Sequence, residues 1–166
     1  MKGAIGNALI LNMVITFVLI FFSLLIGSMA YSKAYKTKNF LINLIDKTEE
    51  SGEHDFASTI PGKRDKWDAQ ANEYLSKVGY PISSNQTNNC HMTRAGGYKL
   101  YLGNGKGRYD YCIYRKDETF TSSESQVIKR RYNYMVLVYM KFDVPVLGQF
   151  IKLPITGETK TYTILR

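Results

Sequence analysis

Leu9–Ala30 reads LILNMVITFVLIFFSLLIGSMA, 22 residues without a charge or a proline. As a helix rising about 1.5 Å per residue it would be roughly 33 Å long, against about 30 Å for the hydrocarbon core of a bilayer. The uncharged stretch begins at Gly3, with only Lys2 before it. Its polar side chains in the span are Asn12, Thr16, Ser23 and Ser28. Thr and Ser can return their hydroxyls to carbonyls of their own helix, whereas an Asn amide needs a neighbouring helix or the membrane interface. Ser23 and Gly27 form a small-xxx-small pair that lets a second helix come close. Asn12, Ser23 and Gly27 are therefore the candidate helix-packing positions.

A cleaved secretory signal is the competing reading, with Lys2 as its basic start and Ser28-Met29-Ala30 as a small-x-small cleavage site. The apolar run exceeds the roughly 7–15 residues usual for such a signal, which favours a retained anchor. Orientation rests on opposing signs. Lys33, Lys36 and Lys38 follow the span, and the excess of positive charge on the cytoplasmic side would place them inside. Two cysteines, Cys90 and Cys112, with strands rich in Tyr and Thr argue for an exported domain, and that orientation is the one adopted. The expected location is a single-pass membrane protein with its C-terminal domain outside the cytoplasm.

Beyond the span, Phe40, Leu41, Leu44 and Ile45 fall on one stripe of a helix, and no Gly or Pro intervenes before Gly52. The spacing predicts one long helix over residues 1–50: a transmembrane part at about 8–31 and an amphipathic extension over 32–50. Residues 51–166 form the head. Ser51 to Gly62 is a connector. Trp67, Ala71, Tyr74, Leu75 and Val78 mark a short amphipathic helix from Asp65 to Val78, with Gly79 as its cap and Pro81 blocking continuation. Tyr98–Leu102 and Arg108–Arg115 are strands joined through the glycine-rich turn at 103–107. Asp117–Gln126 reads as a polar loop. Val127–Val144 reads as a central strand apolar on both faces, Phe150–Leu153 as a short strand, Pro154–Glu158 as a turn, and Thr159–Leu165 as a last strand. The fold class is α+β, with a four- to five-stranded, mostly antiparallel sheet and the helices on one face.

The head carries 17 Lys/Arg against 11 Asp/Glu. This excess suits an anionic surface polymer, with Lys129, Arg130 and Arg131 as the candidate basic surface; nucleic acid is not the expected partner. Cys90 and Cys112 are expected to form one disulfide, worth about 3 kcal/mol by loop closure. With only two His and two Cys, the chain lacks a tetrahedral zinc set, and Cys90-His91 lacks the positioned base that a thiol nucleophile needs. No catalytic residue, metal or cofactor is expected.

The layout resembles the TadE-like minor pilins and pseudopilins of tight-adherence pili. The residues that carry the likeness are the Gly3-Ala4-Ile5-Gly6 start, the amphipathic continuation through Ile45, and Met140-Lys141-Phe142-Asp143-Val144-Pro145 with Ile155-Thr156-Gly157-Glu158-Thr159-Lys160. The resemblance implies a pilin-like, non-enzymatic subunit that contacts the bilayer and other pilus-assembly subunits through its N-terminal helix, and that can enter a surface filament. The chain departs from the pilin pattern in one respect: a Glu five residues after a processing Gly is replaced by Ala8 or Leu11. A plain anchored or secreted binding domain, recognising wall polymer or a protein, is the alternative.

Overall fold

The computed structural model describes residues 2–50, 63–80, 90–102, 111–121, 128–143 and 150–165. The connector at 51–62, the glycine-rich turn at 103–107 and the side chain of Lys129 lie outside the described residues.

Helix α1 spans Lys2–Glu50 without a break. At about 1.5 Å per residue it is roughly 74 Å long. Its C-terminal half is amphipathic: Ala34, Thr37, Leu41, Ile45 and Glu49 are buried, three or four residues apart. The first buried residues of this stripe are small, which lets the helix lie close to the sheet. Helix α2, Lys63–Val78, begins two residues before the Asp65 start that the spacing predicts. It ends in a Schellman motif. Gly79 has φ +66°, its N–H donates to Ser76 O (3.1 Å), and Tyr80 N–H donates to Leu75 O (3.0 Å). Phe40 of α1 stacks on Tyr74 of α2, ring centroids 3.7 Å apart.

The strands are β1 (Thr93–Arg94), β2 (Tyr98–Leu102), β3 (Tyr111–Thr121), β4 (Ile128–Asp143), β5 (Phe150–Glu158) and β6 (Tyr162–Leu165). They form one antiparallel sheet in the order β1-β2-β3-β4-β5, with β6 also paired to β4. β4 is the centre. Its Tyr132, Tyr134, Val136, Val138 and Met140 join the core shared with α1 and α2. Met135 and Leu137 point the other way and pack with Tyr98, Cys112 and Tyr114. The central strand is thus apolar on both faces, as its composition predicts.

Three expectations are corrected. The sheet has six strands rather than four or five, because the two-residue β1 is too short to show a strand pattern of its own. Asp117–Thr121 is not loop but the end of β3, paired residue for residue with Ile128–Tyr132 of β4, from Asp117 opposite Tyr132 to Thr121 opposite Ile128. Opposite charges meet across this ladder: Arg130 lies 3.3 Å from Asp117, and Glu118 faces Arg131 in register. A polar sequence therefore continues as a strand where its cross-strand partner supplies the counter-charge.

Pro154–Glu158 is likewise strand, not turn. Thr159 N–H donates to Tyr134 O (2.9 Å), which makes Tyr134 and Thr159 a hydrogen-bonded pair. Counting back along the β5 register puts Pro154 opposite Tyr139 at a non-hydrogen-bonded position. Its missing N–H faces the open edge, where proline is tolerated. The β5 register pairs Met135 with Glu158, and the β6 register pairs Tyr132 with Tyr162, a slip of one residue. β5 and β6 are in effect one strand with a bulge at 159–161. The extra residue switches the parity, so that Ile155 before it and Tyr162 and Ile164 after it all face the helix side. Thr159 mends the break: its hydroxyl accepts the Tyr134 N–H at 3.0 Å.

Candidate functional site: the exposed helix and its seat on the head

The described residues hold one helix long and apolar enough to cross a membrane, and none of its most apolar stretch is covered by the rest of the protein. Large apolar side chains from Leu9 to Met29 are 38–73 % exposed. Exposed apolar surfaces of this size and continuity mark places where a membrane or another protein is contacted. Thr16 donates to Asn12 O and Ser23 to Leu19 O, each at 2.9 Å, so these hydroxyls are satisfied within their own helix. The Asn12 side chain is exposed, and a Cβ on Gly27 would meet nothing within 4 Å. Both positions therefore lie on an open surface.

The head grips the other half of α1. Ala30, at the end of the apolar run, already packs against the head core. Gly157 of β5 allows a close approach, since a Cβ there would stand 2.7 Å from Lys38 Cδ and 2.8 Å from Ile42 Cδ1. At the far end, α1 presents three acids to the sheet. Glu49, 2 % exposed, accepts hydrogen bonds from Tyr132 Oη (2.7 Å) and Tyr134 Oη (2.8 Å). Asp46 accepts from the Tyr162 hydroxyl, and Glu50 pairs with Lys160. Burial first, and then the Glu49 charge, pushes the Tyr134 phenol well above its ordinary value. Burial and the hydrogen bond to Asp46 do the same for Tyr162. The Arg115 guanidinium sits 4.3 Å from the Tyr132 ring centre and bonds to Asp117 at 3.0 Å.

These acids were not singled out in the sequence. The available signal was Glu49 itself, four residues after Ile45 and so on the apolar stripe. It also stands in the last turn of a helix, where the macrodipole disfavours an anion.

Cys90 and Cys112 are joined, with Cα atoms 5.8 Å apart, and neither cysteine is free. His91 is exposed. Strand alternation divides the basic run. Arg130 is on the helix side, paired to Asp117, while Arg131 is on the opposite side, 5.1 Å from the Phe120 ring centre. On that opposite side a cleft of about 500 Å³ is lined by Tyr98, Lys116, Glu118, Arg131, Asn133 and Glu158, among others. Asn133 Nδ2 donates to Tyr98 Oη at 2.7 Å, and Lys116 pairs with Glu118 at 2.8 Å.

The chain matches no protein-family model, no curated protein and no solved structure.

Proposed function

We propose that the chain is a non-enzymatic, single-pass pilin-like subunit whose head stands outside the cytoplasm. The observation that carries this reading is the division of one unbroken helix. Its first half is exposed and apolar all round, and its second half is seated on a folded, disulfide-bonded head. A helix of this kind is stored in a bilayer with every internal backbone group bonded to its own chain. It can then leave for a bundle of like helices, exchanging lipid contacts for packing at Ser23 and Gly27 and a partner for Asn12. The head follows as a rigid body because α1 is bonded to the sheet at Asp46, Glu49 and Glu50. The disulfide supports the outward orientation, since such bonds persist in oxidising compartments. The TadE-like resemblance in the sequence agrees with this role.

The test is mass spectrometry of sheared surface filaments and detergent-extracted membrane complexes from the native host. The chain is expected in them together with other helix-anchored subunits. Its confinement to the membrane as a lone polypeptide would overturn the assembly reading. The cleft lined by Tyr98, Lys116, Arg131 and Glu158 favours a second reading, an anchored domain that binds wall polymer or a protein. A lone membrane species that retains wall fragments, and loses them on Arg131→Glu, would support that reading instead.

A further inference from the structure

Where the helix leaves its apolar run, the next two turns carry cations and aromatic rings and no acid. The residues are Tyr31, Lys33, Tyr35, Lys36 and Lys38, and the first acidic residue in the chain is Asp46. Tyr31 and Tyr35 are 53 % and 44 % exposed and stack with ring centroids 6.1 Å apart. Lys38 Nζ lies 4.2 Å from the Tyr35 ring centre. At about 100° of rotation per residue the three lysines do not share a face. Lys38 lies on the flank of β5, beside Gly157, and Lys33 on the flank of α2, beside Gly79. Lys36 points away from the buried stripe and is exposed. Together they encircle the helix.

The head leaves no spacer between itself and this collar. Ala34 belongs to the core shared with the head and the partly buried Ala30 packs against it, and Tyr80, just past the end of α2, both donates to Tyr139 O (2.8 Å) and accepts from Tyr139 N–H (2.9 Å). With Ala30 at the edge of the hydrocarbon, Lys33 to Lys38 rise about 4 to 12 Å above it. The headgroup layer is about 5–8 Å deep on each side, so Lys33 starts within it and Lys36 at its outer limit, while Lys38, whose Nζ reaches back to the Tyr35 ring, snorkels into it. Tyrosine is the side chain that settles at the same level.

We infer that Lys33, Lys36 and Lys38, with Tyr31 and Tyr35, form a collar that binds anionic phospholipid headgroups of the leaflet from which α1 emerges, seating the head directly on the membrane. The inference rests on the membrane-anchor part of the proposed function and not on filament assembly. It also gives these lysines a role on the outer side, where orientation rules alone would not put them.

Native mass spectrometry of the full chain released from nanodiscs of equal phosphatidylglycerol and phosphatidylcholine tests it. A lysine near an anionic surface is worth roughly fivefold in affinity. With screening, we expect phosphatidylglycerol to be retained about tenfold over phosphatidylcholine. The preference should fall towards parity in the triple variant Lys33→Gln, Lys36→Gln, Lys38→Gln, in which an unchanged near-UV circular dichroism spectrum reports an intact head. Parity in the unmodified chain, or an undiminished preference in the triple variant, overturns the inference. Equal retention of inorganic phosphate by the detergent-solubilised chain would also overturn it, by making the collar a phosphate site rather than a lipid one. A chain that cannot enter nanodiscs overturns the anchor reading and this inference together.

Discussion

Glu49 occupies a position that helix electrostatics alone would not give it, buried in the last turn of α1. Two phenol hydroxyls make the position tenable. Removing the carboxylate leaves both without their acceptor in a dry site. Glu49→Leu should therefore cost about 2–4 kcal/mol in denaturant unfolding, and Glu49→Gln, which keeps an acceptor oxygen, should cost less. Equal losses from the two variants would mean that packing, not hydrogen bonding, is what Glu49 supplies. The same cluster sets an alkaline limit. In the unfolded chain Tyr134 and Tyr162 ionise near pH 10, whereas in the fold both stay protonated to higher pH. Above about pH 10 the unfolded chain binds fewer protons than the native one, so stability is full below that pH and falls as pH rises. Tyr134 contributes up to about 1.4 kcal/mol per pH unit, and the partly exposed Tyr162 less. Tyrosinate absorbance from these residues should appear only with loss of tertiary structure. A titration that ionises every tyrosine before unfolding would contradict the cluster.

At the scale of elements, α1 and β5 meet at Gly157, where a side chain would push against Lys38 and Ile42. Gly157→Val should cost about 1–3 kcal/mol through overpacking, and pairing it with Ile42→Ala should recover part of the loss. Purely additive losses would show that the two sites do not touch. This junction also shows how far the sequence could be read. The long helix, the capped α2, the doubly apolar β4 and the disulfide were all legible, because each rests on local periodicity or on residue type. The bulge at 159–161 was not, because a one-residue slip is defined by the partner strand and not by the strand itself. Pro154 reads as a turn former until its position on an edge is known. Asp117–Thr121 reads as loop until Arg130 and Arg131 stand opposite. The stripe of α1 was found at Leu41 and Ile45, but its continuation through Ala34 and Thr37 was hidden. Small and polar residues carry little hydrophobic signal, although they are what lets the helix lie close to the sheet.

At the scale of the whole molecule, the deciding question is where the apolar helix and the head reside. The exposed residues from Leu9 to Met29 require a cover that the head does not provide, and the disulfide is most durable outside the cytoplasm. Treating intact spheroplasts of the native host with protease, and following the head by immunoblot, tests both parts at once. The head is expected to be digested while a cytoplasmic marker survives, leaving a short membrane-protected fragment that contains Leu9–Ala30. A head that stays intact until the spheroplasts are lysed would contradict it.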